Sequence, residues 1–206
     1  MAHEALEKGA EVSLTRGAVH TPAPPYCASH ADISLLGDVN AEMARQLIDG
    51  LRNPPASSTI TIELSTVGGD AEIARRMVLE IDEARARLAS QRLIFLGKST
   101  VYSAGVTIMS AFPRDDRFLS SDAILLIHSR QLEKDIKLSG PIGESLPKLQ
   151  AISHEIETGM QLEQEGFERL IAGSLVSLAE VQKRAPGNWY LRSQEALDKR
   201  LVGGIF

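Results

Sequence analysis

Cysteine is almost absent from this chain. Cys27 stands alone among 206 residues, so no disulfide can form within the chain. That usage leaves a reducing cytoplasm as the expected compartment and a small buried hydrophobe as the expected role of Cys27. Positive charge is in deficit: 22 Lys and Arg face 27 Asp and Glu, for a net charge of −5 and no basic cluster. The electrostatic footprint of nucleic-acid binding is therefore missing. No apolar run approaches the ~18 residues of a membrane span. The opening residues MAHEALEKGAEV lack the apolar core of a secretory signal. There is no Gly-x-x-x-x-Gly-Lys-Ser/Thr loop, so energy-dependent work must come from another chain. His3, His20, His30 and His154 are scattered, and none pairs with Cys27 at a recognised ligand spacing. No cofactor and no metal are expected.

What is present is an ordinary globular balance, 43% apolar and 24% charged, over a length suited to one well-buried core. Residues 1–25 read as a tail, because Thr21-Pro22-Ala23-Pro24-Pro25 cannot continue a helix. The remainder, 26–206, reads as a single domain. Ile33–Leu36 is a short strand. Asn40 is the expected N-cap of a helix carrying Met43, Ala44, Leu47, Ile48 and Leu51 on one face. Thr59–Leu64 alternates and is rich in branched residues, so it reads as a strand. Ala71 to about Leu88 has helical spacing, and Arg92–Leu96 is the next strand, closed by Gly97. Strands alternating with helices predict an α/β fold with a parallel sheet.

Chemistry concentrates between Ser99 and Ser129. Ser103-Ala104-Gly105 is a small-residue turn opening an apolar run, Val106–Phe112, of a length suited to a buried helix. Ser103 then sits at a helix N-terminus, where free N–H groups favour a developing oxyanion. The plainer role there is a helix cap. After a polar break, the strand-like run Ala123–Ile127 ends on His128, 25 residues beyond the serine. A neutral histidine can take a hydroxyl proton near neutral pH, and a serine with such a partner forms two parts of a serine hydrolase. Upstream, Gly68-Gly69 joins a strand to a helix, and paired glycines let backbone N–H groups face a ligand oxygen.

The order Gly68-Gly69, Ser103-Ala104-Gly105, Ile127-His128 resembles the Clp protease proteolytic subunit (ClpP) family, over roughly Ile33 to Val202. The resemblance implies a crotonase-like α/β fold and a serine endopeptidase that cleaves peptides or unfolded proteins inside a ring-shaped homo-oligomer. Such rings usually stack and are fed by a separate ATP-dependent unfoldase. Ser103 becomes the nucleophile and His128 the base, with the N–H groups of Gly68 and Ala104 as oxyanion hole. Aligning Glu195-Ala196 with the family's Glu-Ala puts Asn188 where a catalytic aspartate normally stands. An amide can orient a histidine but supplies no negative charge, a loss that can cost on the order of 10⁴ in rate. The resemblance also makes residues 129–172, with a long helix over about Glu144–Ala172, a handle between two rings.

Three departures accompany it. Val67 stands where the family has proline, Arg130–Leu138 replaces a Gly-rich strand after the base, and Asn188 replaces the aspartate. The last two keep a second expectation open, a weak or non-catalytic ring subunit working with an active paralogue. A crotonase-type enzyme acting on acyl thioesters is the third; it shares the fold but gives Ser103 and His128 no joint role.

Overall fold

The computed structural model describes residues 30–206; the expected tail and Cys27 lie outside them. Branched residues at Ile33–Leu36 form β1, which pairs in parallel with β2 (Thr59–Thr66). Helix α1 (Ala41–Arg52) crosses between them. Its Asn40 cap accepts from the Glu42 and Met43 N–H groups at 2.9 and 3.0 Å. Asp70 caps α2 (Ala71–Arg87) in the same way. α2 buries Ala74, Met77, Ile81 and Ala84 and leaves most of its charges on the solvent side.

The next strand is longer than the sequence implies. Strand β3 runs from Arg92 to Tyr102, through Gly97 rather than ending there. A Cβ at Gly97 would lie 2.6 Å from a Leu119 methyl. Glycine there marks close packing inside the strand rather than its end. Residues 95–97 pair with β4 (Arg117–Leu119) and residues 100–102 with β5 (Ile124–Ile127), so the sheet forks along β3. Between the two pairings Ser99 takes a φ of +53°. The short helix α3 (Ala104–Met109) lies between β3 and β4 and is almost wholly buried. It is shorter than the apolar run suggests, because the following residues turn through Pro113 to enter β4.

Helix α4 (Ser145–Ile171) has 27 residues, about 40 Å at the standard rise. Only Phe167 and Leu170, near its C-terminal end, are buried. Leu146, Leu149, Ile156 and Met160 are exposed. α4 therefore packs on the body at one end and carries an uncovered apolar stripe toward the other. Helix α5 (Leu178–Arg184) starts at Ser177, whose hydroxyl accepts from the Glu180 N–H at 3.1 Å. Strand β6 (Trp189–Arg192) pairs antiparallel with β5, the exception in an otherwise parallel sheet. Helix α6 (Ser193–Asp198) and the two-residue β7 (Gly204–Ile205), beside β4, complete the order. Arg192 stands at the N-cap of α6, and Ser193 is the first helical residue. Its hydroxyl donates to the Ser121 carbonyl at 2.8 Å, while Glu195 accepts the Arg192 N–H. Among the described residues, no helix is long and apolar enough to cross a membrane.

Candidate active site

The site begins where β2 ends. The Thr66 hydroxyl accepts the Gly68 N–H at 3.0 Å and donates to the Gly68 carbonyl at 3.1 Å. Both glycines that follow have left-handed φ, +117° at Gly68 and +144° at Gly69. A Cβ at Gly68 would stand 3.0 Å from that of Ser103, so the turn and the serine are in direct contact. Gly69 forms a parallel bridge to Val39, whose carbonyl and N–H would lie 2.4 and 2.7 Å from an added Cβ. Gly69→Ala is therefore expected to destabilise by at least ~2 kcal/mol, from left-handed strain and overpacking together. A urea midpoint equal to wild type would contradict this.

Ser103 follows the last residue of β3. Its N–H donates to the Leu126 carbonyl at 2.9 Å, stitching the serine to β5 two residues before His128. Its φ of +55° with ψ −114° is strained for a residue with a side chain. The serine makes no side-chain cap bond to α3, so the plain helix-cap role is not taken up here. Its side chain is half-buried. Among the described residues the Ala104 N–H has no hydrogen-bond partner, whereas the Gly68 N–H is committed to Thr66. Of the two expected oxyanion donors, one is free and the other must exchange a threonine hydroxyl for the ligand.

His128 continues β5 and is half-buried. Its Nδ1 lies 2.6 Å from the Ser129 carbonyl oxygen. A carbonyl can only accept, so in the neutral ring this contact places the proton on Nδ1 and leaves Nε2 a bare lone pair. Asn188 terminates the 3₁₀ turn Ala185–Gly187 with a left-handed φ of +58°, which asparagine tolerates better than most residues. The β5–β6 register pairs Ile127 with Trp189, so His128 and Asn188 occupy the adjoining strand ends. The Asn188 residue is exposed, and no hydrogen bond joins it to His128, nor His128 to Ser103, among the described residues. Two carboxylates near in sequence are engaged elsewhere. Asp122, at the far end of β5, accepts from Ser120 and Ser99, and these bonds hold its carboxyl below the usual range. Asp198 accepts from Gln194 on α6.

Ser103, Ala104 and His128 line one cleft of about 900 Å³ between α2, α3 and the C-terminal half of α4. Asn188 is not among its lining residues. Val78, Leu79, Val106, Ile127 and Phe167 give the cleft apolar walls, and Glu72, Arg130 and Glu163 are among its charged lining residues. Glu72 is held below the ordinary carboxylate value chiefly by its hydrogen bond from Arg130, with Arg75 adding to it. That pairing persists as pH falls through the usual carboxylate range and is lost below it, where the lowered pKa is crossed; its contribution to stability fades over the same interval.

Residues 129–138 form no strand and are mostly exposed, as the loss of the Gly-rich segment leads one to expect. Sequence reasoning missed the Ser129 carbonyl and the Thr66 hydroxyl. The first is a main-chain atom with no motif. The second reads as one more branched residue of a strand. Among the described residues, no group of three His, Cys, Asp or Glu side chains is placed to hold a metal ion.

No family model matches the sequence, and no curated protein matches it. Among solved structures, an Asn-to-Asp variant of ClpP1 from Listeria monocytogenes matches with a TM-score of 0.65 and 22% identity. The match covers 84% of this chain and 90% of that one. At this identity the likeness shows the fold: the chain has a ClpP-like fold.

Proposed function

We propose that this ClpP-like chain is the subunit of a serine endopeptidase that cleaves peptides or unfolded proteins within a ring-shaped homo-oligomer. One observation carries the reading. Ser103 is held in a strained, uncapped turn, stitched to the strand that ends in His128, and both side chains line one cleft. In the reaction, Nε2 of His128 takes the Ser103 hydroxyl proton as Oγ bonds to the substrate carbonyl carbon. The carbonyl π pair moves onto oxygen, facing the N–H groups of Ala104 and Gly68. His128 then returns the proton to the leaving amine as the C–N bond breaks, and water releases the acyl group by the same steps reversed in role. Asn188 is the orienting residue at the third position. It lacks the charge that steadies an imidazolium, so the expected turnover is slow.

The exposed stripe of α4, with Leu146, Leu149, Ile156 and Met160, supports a handle packed between stacked rings. A cytoplasmic setting and an ATP-dependent unfoldase as partner belong to the same reading. A second reading, a weak or inactive ring subunit beside an active paralogue, is favoured by Asn188 and by the absence of a Ser103–His128 hydrogen bond. A fluorophosphonate probe with peptide mass mapping separates the two. Labelling is expected at Ser103, abolished in His128→Ala and faster in Asn188→Asp. Folded, assembled protein that takes no label would overturn the peptidase reading in favour of the second.

A further inference from the structure

The histidine's acceptor in this structure is a peptide carbonyl, and a carbonyl is only as well placed as its peptide. Four contacts hold the peptides on either side of it. The Ser129 N–H reaches the Ala185 carbonyl at 3.4 Å. The Gln131 side-chain amide donates to the Ser129 carbonyl at 3.2 Å, beside the His128 bond. The Arg130 guanidinium pairs with Glu72 of α2. The Arg130 N–H, on the same peptide unit as that carbonyl, donates to the carboxylate of Glu163 of α4. Glu163 is half-buried on the cleft-lining part of α4. An ionised acceptor makes its hydrogen bond roughly twice as strong as a neutral one. The 3.4 Å bond from Ser129 is weak by comparison.

We infer that Glu163 is a positioning residue for the general base. By fixing the Ser129–Arg130 peptide it keeps the Ser129 carbonyl on Nδ1 of His128, and so keeps Nε2 unprotonated toward the cleft. The inference rests on the reading of His128 as the base. It gives α4 a direct hold on the tautomer, in a site whose third position supplies no carboxylate. Because β5, which leads into His128, and α4 are far apart in sequence, the chain between Arg130 and Glu163, 33 positions apart, must fold back before the base is set.

The test is the ring ¹⁵N spectrum of His128 in histidine-labelled, assembled protein, by solid-state NMR above the histidine's titration range. The His128→Gln spectrum identifies the signal. Wild type is expected to show a protonated Nδ1 and a bare Nε2. Glu163→Ala is expected to shift the ring toward the Nε2–H form, and Glu163→Gln, whose amide oxygen still accepts, to restore the wild-type spectrum. In peptide turnover, kcat falls roughly tenfold in Glu163→Ala with KM unchanged, in proportion to the competent tautomer that remains. A KM effect alone, an Nε2–H ring in the wild type, or an alanine variant with the wild-type spectrum overturns the inference. The expected spectra in a protein without peptidase activity uphold it and overturn the peptidase reading instead.

Discussion

Ser103→Ala is expected to abolish turnover of a fluorogenic peptide while leaving the protein folded. The stability half of this result follows from the structure. The hydroxyl caps nothing in α3, and alanine inherits the same strained backbone. The Ser103 N–H bond to Leu126 does not involve the side chain and persists. Removal of an unbonded, half-buried hydroxyl belongs among substitutions within about 0.5 kcal/mol. The activity half follows from the role. Loss of a serine nucleophile costs on the order of 10⁶ in kcat where a full triad operates. With Asn188 at the third position, as proposed, the missing carboxylate would already take up to about 10⁴ of that rate. The drop that can be read is therefore about 10²-fold, down to background. Initial rates and urea midpoints on the same preparations decide the matter. Unchanged turnover sinks the assignment of Ser103. A large fall in the midpoint would show that the serine serves the fold instead.

Arg117→Met is expected to cost about 3–5 kcal/mol. Arg117 lies in β4 and is 2% exposed, among the largest fully buried side chains of the protein. Its guanidinium donates to four carbonyls: Phe112 at 2.8 Å, Leu170 at 2.7 Å, Leu201 at 3.2 Å and Ser110 at 3.4 Å. It thereby ties the end of α3, the buried end of α4 and the C-terminal segment to the sheet. Burial lowers its pKa to about 10, with the neighbouring charges of Arg169 and Arg114 adding to the shift. The group is still charged at neutral pH. The sign is that of a base with a depressed pKa. The burial penalty is fully present below about pH 10 and is relieved as pH rises through that value toward the ordinary arginine range. Methionine fills the volume but leaves four carbonyls without this donor. Lysine, lacking the planar fork, recovers only part of the loss. Urea denaturation reads both variants. A loss below about 1 kcal/mol for Arg117→Met would show that the carbonyls find other donors.

How far the sequence could be read differs element by element. Asn40 announced its helix, because a cap is a local bond between residues two or three apart. The strand at β2 and the helix at α2 carry full periods of their own. β4 and β7 do not, since three and two residues hold no period, and the sheet alone makes them strands. Arg117 reads as part of a polar break between apolar runs. Hydropathy places an arginine outside, and only the tertiary fold supplies the carbonyls that let it lie within. Nothing local in β6 sets its antiparallel direction, which depends on the return of the chain past α4.

For the site, residue types and order along the chain were enough to single out Ser103, His128 and the Gly68-Gly69 turn. A tight turn favours small residues, and a histidine at a strand end interrupts an apolar run. These are properties of neighbours in sequence. The tertiary structure decided what each of those groups faces. It put Thr66 on the Gly68 N–H, the Ser129 carbonyl on the imidazole, and Asn188 at the adjoining strand end without a bond to the ring. Main-chain acceptors carry no residue identity. Their place follows from contacts such as Glu163 with Arg130, 33 positions apart, which no local pattern encodes.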